Sequence, residues 1–178
     1  QDRTGFDDSA ILQIIEGVRL VGPGGRLHEV KAPGYVLDRT RFDKTLTIQA
    51  LEAGADLASA LVLRREGGRV VVRRNGLEAE FDGEVILGAD GPGSVVGKSI
   101  GQVNSAFVAT MQYEVGLEQP EAWSEFYWPS EVGEGGAWFV PCNRTARVGV
   151  GLRRSRARFL KQYLDRFLRR LAEDGRVY

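Results

Sequence analysis

The sequence VILGADGPG, at residues 85–93, contains an unbroken apolar run that ends in an acidic residue and two glycines. A strand without polar alternation is typical of a parallel sheet that is covered on both faces. Ligands bind such sheets at the carboxyl ends of the strands, where Asp90 stands. Gly91 and Gly93 allow a tight turn and a close approach of the backbone to a ligand. The stretch therefore predicts a buried strand of an α/β domain with a binding site at its end.

The acidic residue of this stretch has two interpretations. The Asp90 carboxylate can accept hydrogen bonds from ribityl or ribose hydroxyls, or hold water on a pyrophosphate. It can also cap the helix that follows the turn. The segment GPGSVVG at 91–97 superficially matches a dinucleotide-binding loop. Pro92 is unusual there, however, and no acidic residue follows a second strand at the expected distance, which excludes a second nucleotide-binding fold.

Upstream of this stretch, turn and capping signals predict a hairpin and a helix. Short apolar runs at 14–37 flank Gly-Pro-Gly-Gly at 22–25, which predicts a hairpin. Asp38 has the character of a helix N-cap, apolar residues follow at helical spacing, and Gly54 ends the pattern.

Further elements flank the stretch on both sides. Asn75-Gly76 joins two strand-like segments and is a strong hairpin signal. Alternating residues at 107–115 predict a half-buried strand. Gly-rich breaks separate the next segments, which predicts an antiparallel sheet, and an amphipathic helix closes the chain. These segments are 69–74 and 77–81 for the hairpin, 125–128, 137–140 and 147–152 for the later strands, and 155–174 for the helix.

The composition excludes several classes of protein. Among 178 residues, 24 Lys and Arg balance 24 Asp and Glu, so no net charge attracts nucleic acid. One cysteine and one histidine exclude a disulfide within the chain and disfavour a His/Cys metal site, so we predict no metal. No apolar stretch approaches the ~20 residues of a membrane span.

Three stretches together resemble one family. They are YVLDRTRFDKTL at 35–46, VILGADGPGSVVG at 85–97, and GAWFVP at 136–141 followed by RVGVGL at 147–152. In order and spacing they resemble the geranylgeranyl reductase family of FAD-dependent oxidoreductases, within the flavoprotein group that includes p-hydroxybenzoate hydroxylase. The resemblance extends from about residue 17 to the final helix.

The resemblance implies a mixed α/β (α+β) fold. It predicts a partial FAD-binding α/β domain that is interleaved with an antiparallel substrate-side sheet and closed by the amphipathic helix. The internal character of the first residues predicts a fragment that lacks the N-terminal dinucleotide-binding segment. The predicted contributions are 1–37 for the substrate-side hairpin and lead-in, 38–101 for the FAD-binding part, 102–152 for the substrate-side sheet, and 153–178 for the helix.

The resemblance also implies which residues lie near the cofactor. It places Asp90 and Gly91 in contact with FAD, and Arg39 close to it. A guanidinium at the start of a helix can clamp phosphate. The alternative for Arg39 is a solvated side chain that pairs with Asp43 one helical turn later.

The third stretch implies substrate contacts and also departs from the family. Reductases of this type carry Tyr-x-Trp-x-Phe-Pro facing the isoprenoid cavity, whereas this chain retains only Trp138 and Pro141 of those four residues. Gly149 and Gly151 leave one strand face bare, which admits either a flat ligand or a packed neighbour. We expect a prenyl chain to lie across a sheet that is rich in aromatic residues, with Trp138 near the reacting double bond. These are Phe107, Tyr113, Phe126, Trp128, Trp138 and Phe139.

The function implied by the resemblance is reduction of isoprenoid double bonds by hydride transfer from reduced FAD, with NADPH or another donor as reductant. Catalytic residues are not identified. One alternative is an FAD-dependent monooxygenase or halogenase of the same fold. Another is a non-catalytic fragment that cannot bind FAD alone.

The final helix bears on the cellular location. Residues 153–174 carry eight cations against three acidic residues, so the helix can rest on anionic lipid or simply pack with a solvated basic face. We expect a cytoplasmic protein with possible peripheral membrane contact.

Overall fold

The computed structural model describes residues 8–128 and 135–178. These residues form two units: one combines the chain up to Gln49 with Val108–Tyr178, and the other is Ala50–Phe107. The predicted mixed α/β class is confirmed. The strands are β1 Ile11–Val21, β2 Leu27–Leu37, β3 Leu61–Glu66, β4 Arg69–Arg74, β5 Leu77–Asp82, β6 Val108–Gly116, β7 Trp123–Tyr127, β8 Gly136–Cys142 and β9 Thr145–Arg153. The α-helices are α1 Arg39–Glu52, α2 Val95–Ser99 and α3 Leu160–Glu173, with 3-10 turns at Asp8–Ala10, Pro23–Gly25 and Arg154–Phe159.

The first unit contains a six-stranded sheet in the order β2-β1-β7-β8-β9-β6. The predicted hairpin at its start is confirmed, since β1 and β2 pair antiparallel around the turn at Pro23–Gly25. The antiparallel pairing predicted for the strands within 102–152 is confirmed, and β1 joins this sheet by pairing parallel with β7. Parallel neighbours need a long crossover connection, and the chain between β1 and β7 includes the whole second unit.

One face of this sheet packs against α3 and forms the main core. Alternate residues of β8 and β9, including Phe139 and Val148, are completely buried there. Leu164 and Leu171 from α3 pack into the same cluster. Each fully buried side chain of this kind contributes about 1.5–3 kcal/mol. The alternation that buries these residues leaves the neighbouring ones on the opposite face.

The last helix begins later than the sequence predicts. Residues 154–159 form 3-10 turns, and the α-helix starts only at Leu160. Two arginines, Arg156 and Arg158, lie in the predicted first turn, where positive charge opposes the helix macrodipole. Phe159 at the N-cap provides no side-chain hydrogen bond. The first turn therefore lacks the features that favour an α-helical start.

The helix predicted after Asp38 is confirmed. The Asp38 carboxylate accepts hydrogen bonds from the backbone N–H of Thr40 at 2.9 Å and of Arg41 at 3.2 Å, which caps α1. Beyond its end, Gly54 adopts a φ of 92°, a conformation that favours glycine.

The second unit contains the three-stranded antiparallel sheet β3-β4-β5. The hairpin predicted at Asn75-Gly76 is confirmed, and both turn residues have positive φ, 51° and 83°. The strand β3 was not predicted from the sequence, because its apolar residues do not alternate cleanly with polar ones over its length.

The prediction of a buried strand at 85–90 is wrong. These residues form no strand, and Val85 and Leu87 are 76% and 86% exposed. An apolar run becomes a buried parallel strand only when neighbouring strands pair with it. Among the described residues, no strand pairs with this run, so its apolar side chains remain exposed.

Candidate functional site

The sheet face opposite α3 is here called the open face. It is formed by the residues that alternate with the core positions of β6, β9, β8, β7 and β1. Two cavities lie on it, and Phe126 lines both of them. Phe126 is 37% exposed, so it stands at the surface between the two cavities.

The first of the two, called the aromatic cavity, has a volume of about 460 Å³. No charged residue is among its lining within the described part of the chain. Apolar and aromatic walls with few polar groups are typical of sites for apolar small molecules. Its lining consists of Val108, Thr110, Phe126, Tyr127, Trp128, Gly135, Gly136, Ala137, Trp138 and Gly151.

Trp138 is held in place by contacts on both sides of its indole ring system. Its Nε1 donates a hydrogen bond to Oε1 of Gln112 at 2.9 Å. Its ring covers Gly149, where an added Cβ would lie 2.2 Å from Cζ2 of the indole. Gly149 therefore makes room for Trp138, so the packed-neighbour alternative accounts for this glycine. Gly151 differs because it belongs to the lining of the aromatic cavity.

The remaining residues predicted to contact substrate separate between the two faces. Pro141 is buried completely and is not part of either cavity lining. Phe139 is also fully buried, and Tyr113 pairs with Val148, so both belong to the α3 face. Phe107 belongs to the second unit. Phe126, Trp128 and Trp138 remain as the aromatic set of the open face.

The second cavity of the open face, called the two-arginine cavity, has a volume of about 390 Å³. Its lining is apolar except for two guanidinium groups, one serine and one tyrosine hydroxyl. The residues are Ile15, Val18, Tyr35, Val36, Leu37, Arg39, Ser124, Phe126, Val140 and Arg147. Arg147 was not predicted from the sequence, because only the strand pairing places this side chain and Arg39 in one cavity.

The two arginines differ in their partners. Arg147 is partly buried and donates one hydrogen bond, from Nη1 to the Leu37 carbonyl at 3.2 Å. Among the described residues it has no ion pair. Arg39 binds the Asp43 carboxylate at 3.0–3.3 Å, as the alternative interpretation of this residue predicts. That pair is exposed, 70% and 56%, so it is screened by water.

In the second unit, Asp90 lies in the turn before α2. Its carboxylate accepts hydrogen bonds from the Ser94 hydroxyl and from the backbone N–H of Val95 at 2.5 Å. The hydrogen bond from Ser94 lowers the pKa of the Asp90 carboxyl. These contacts are those of a local cap. Next to it, Gly91 has a φ of 78° with open space around it, so its backbone is accessible.

A buried polar network on the α3 face was not predicted from the sequence. Arg176 donates to Glu121 at 2.8 Å and to Glu125 at 2.7 Å, and its guanidinium lies 4.1 Å from the Phe139 ring centroid. The Tyr127 hydroxyl also donates to Glu125. Burial raises the pKa of the Glu125 carboxyl, but the hydrogen bonds from Arg176 and Tyr127 outweigh it and lower that pKa. These hydrogen bonds connect Arg176, which follows α3, to β7.

The described residues hold neither a cluster of metal ligands nor a helix that could span a membrane. No group of three or more His, Cys, Asp or Glu side chains is placed to hold a metal ion there. None of the helices in 8–128 and 135–178 is both long enough and apolar enough to cross a bilayer.

Comparison with known sequences identifies homologues. No family model matches the chain. A digeranylgeranylglycerophospholipid reductase of Methanocaldococcus jannaschii is 33% identical over 92% of the chain and 46% of that protein. Digeranylgeranylglycerophospholipid reductase 1 of Methanopyrus kandleri is 36% identical over 84% of the chain and 43% of that protein. The chain thus spans about half the length of these curated relatives.

Comparison with solved structures agrees. A geranylgeranyl bacteriochlorophyll reductase-like protein from Thermoplasma acidophilum matches with a TM-score of 0.76 and 29% identity, over 92% of the chain and 47% of that protein. A flavin-dependent halogenase matches with a TM-score of 0.67 and 17% identity, over 90% of the chain and 33% of the halogenase, which indicates a shared fold. The resemblance found in the sequence is therefore confirmed: the curated homologues of this chain are digeranylgeranylglycerophospholipid reductases, and the chain aligns with about half the length of these reductases and of the reductase-like protein.

Proposed function

We propose that the whole protein is an FAD-dependent oxidoreductase that reduces double bonds of isoprenoid chains, with geranylgeranyl lipids as the substrate class. The aromatic cavity is the observation that carries this proposal. A geranylgeranyl group is a long apolar chain, and an apolar ligand of this kind is best held by aromatic walls without charge. The names of the homologous reductases support the same substrate class.

In this proposal Trp138 forms the wall beside the reacting double bond. Its hydrogen bond to Gln112 and its packing over Gly149 fix the ring, so the wall is preorganised. Gly136 has no side chain to fill the neighbouring part of the cavity, and an added Cβ there would lie 3.2 Å from the Tyr127 carbonyl oxygen. Rigid walls of this kind hold an apolar chain in one position and exclude water from it.

Arg39, Asp90 and Gly91 are proposed to contact FAD. Gly91 offers accessible backbone, and the exposed Asp90 carboxylate can accept further hydrogen bonds from hydroxyl groups besides those of its cap. The Arg39 guanidinium has donors beyond those that bind Asp43. The chemistry of each of these groups, taken singly, suits a flavin nucleotide, and FAD, when bound in its reduced form, supplies hydride.

We further propose peripheral contact with a membrane from the cytoplasmic side. The support is the cluster of cations at 153–170, of which Arg158 is exposed beside Phe159 at 4.7 Å from the ring centroid. Basic and aromatic residues together favour binding to anionic lipid. We expect the chain to sediment with anionic vesicles but not with neutral ones. Sedimentation with neither kind of vesicle, or to the same extent with both, would contradict this contact.

The experiment that tests the function is an anaerobic assay of the whole protein with chemically reduced flavin and a geranylgeranyl substrate. A reductase needs only reduced flavin and an alkene, so saturated product should form without oxygen. A monooxygenase or halogenase needs oxygen. Absence of saturated product under anaerobic conditions, with hydroxylated or halogenated product in air, would exclude the reductase function.

A further inference from the structure

We propose that the open face binds one amphiphile in a fixed direction. The prenyl chain lies in the aromatic cavity, and a phosphate ester at its head is bound by Arg147 in the two-arginine cavity. This inference rests on the proposed function for the prenyl chain. The head-group site is the additional element, and its position determines which end of the chain lies beside Trp138.

Of the two cavities on the open face, only one is lined by cationic residues within the described part of the chain. Among the described residues, the lining of the aromatic cavity includes no charged residue, whereas the lining of the two-arginine cavity includes two guanidinium groups and no acidic residue. Phe126 lines both cavities, so they adjoin. An apolar cavity that adjoins a cationic one is complementary to a molecule with an apolar chain and an anionic head.

Within the described residues, most hydrogen-bond donors of the Arg147 guanidinium have no partner. A guanidinium carries five N–H donors in a planar fork that matches phosphate oxygens, and the structure engages this one in a single hydrogen bond, to the Leu37 carbonyl. Partial burial of an unpaired charge is unfavourable, and an anion in the cavity would offset that cost. The bond to Leu37 also fixes the direction of the side chain, which reduces the entropy lost when an anion binds.

Arg39 is the other cation of this cavity. Its ion pair with Asp43 is exposed and therefore weak. Arg39 can exchange this carboxylate for a phosphate oxygen at small cost. Arg147 is thus the anion-binding group of the proposed head-group site, and Arg39 is left to its proposed contact with FAD.

The test compares two ligands that share one chain, farnesyl diphosphate and farnesol, by calorimetric titration of the 178-residue chain. Inorganic pyrophosphate is titrated as a separate arm. Arg147→Met removes the charge with a side chain of similar length. Arg170→Met, on exposed α3 at the opposite side of the sheet, is the matched control for loss of one positive charge. Circular dichroism checks that both variants remain folded.

We expect wild-type chain to bind farnesyl diphosphate more tightly than farnesol. Arg147→Met should weaken the diphosphate about tenfold, the effect of losing a hydrogen bond to a charged group, and leave farnesol unchanged. Arg170→Met should change neither.

Three results would overturn the inference. Equal binding of the two ligands to wild-type chain would remove the head-group site while leaving the prenyl cavity and the proposed function intact. Loss of pyrophosphate binding in Arg147→Met, without loss of farnesyl diphosphate binding, would assign the anion site to a free phosphate. Failure of farnesol and farnesyl diphosphate alike to bind would count against the prenyl site and the proposed function together.

Discussion

Trp138 and Gly149 are directly opposite each other on β8 and β9, and the indole ring lies where a side chain at position 149 would be. Because Gly149 has no side chain, the Trp138 indole can pack over it and form the main aromatic wall of the open face. The ring is further fixed by Gln112. The width of the aromatic cavity therefore depends on Gly149, because the Trp138 ring packs over this residue.

The first prediction is that Gly149→Ala displaces Trp138. An added methyl group would lie 2.2 Å from Cζ2, so either the ring or the strand must shift. We expect a loss of about 1–3 kcal/mol in the free energy of unfolding, measured by urea denaturation, together with a changed tryptophan emission spectrum. Gly93→Ala is the control, since no atom lies within 4 Å of the added methyl group. Equal stability of Gly149→Ala and wild type would contradict the packing described.

The second prediction is that the Arg176 network stabilises the fold. Arg176→Met leaves the Glu125 carboxylate, which is 5% exposed, without its main partner. Breaking one side of a buried pair costs about 3–5 kcal/mol. Lys161→Met, which breaks the exposed pair with Asp165, is the control and should change the free energy of unfolding little. A small effect of Arg176→Met, similar to the control, would show that the network is not a stabilising one.

The third prediction is a pH dependence that arises from Glu125. Its pKa is lowered in the folded chain, so the unfolded chain binds more protons between the two pKa values. The stabilisation is therefore present above the unfolded value of about 4.3 and is lost as pH falls through the folded value. Urea denaturation from neutral to acid pH should show this loss in wild type and less of it in Glu125→Gln. An identical acid dependence in both proteins would contradict the assignment.

The sequence predicts those features of the fold that local chemistry determines. The glycines and proline at 22–25, the pair Asn75-Gly76 and the cap at Asp38 each specify a turn or a helix start, and all three were correct. The apolar run at 85–90 was not, because burial of such a run depends on partner strands and not on its own composition.

The candidate site could be predicted only in part. Trp138 was identified from its motif, but its contact with Gly149 depends on the register of β8 and β9. In the sequence, nothing distinguishes Arg147 from other arginines of strands. The strand topology places it beside Leu37 and in the cavity that Arg39 also lines. Strand alternation assigns Tyr113 and Phe139 to the face opposite Trp138 only when the register of the strands is known. The sequence alone therefore did not divide the aromatic residues between the two faces.

The fourth prediction concerns the cofactor. The 178-residue chain has no Gly-x-Gly-x-x-Gly loop after a strand to bind the FAD pyrophosphate. We expect it to be colourless after incubation with FAD and desalting. Stoichiometric flavin absorbance would show that Asp90, Gly91 and Arg39 suffice to hold the cofactor.

In the whole protein, Asp90→Ala should raise the dissociation constant for FAD roughly tenfold, as expected for loss of a hydrogen bond to a charged group. Ser94→Ala removes a partner of the same carboxylate and serves as the control. An unchanged affinity in Asp90→Ala, with a lowered melting temperature in both variants, would mean that Asp90 is only a cap.

The most direct measurement of the central claim is photolabelling of the chain with a geranylgeranyl analogue that carries a diazirine on its hydrocarbon chain. The account predicts cross-links on the open face, in peptides that contain Phe126, Trp128 or Trp138, and their loss on addition of unlabelled geranylgeranyl lipid. Labelling confined to α3 or to the second unit, or labelling that the unlabelled lipid does not suppress, would contradict the claim that the aromatic cavity is the prenyl site.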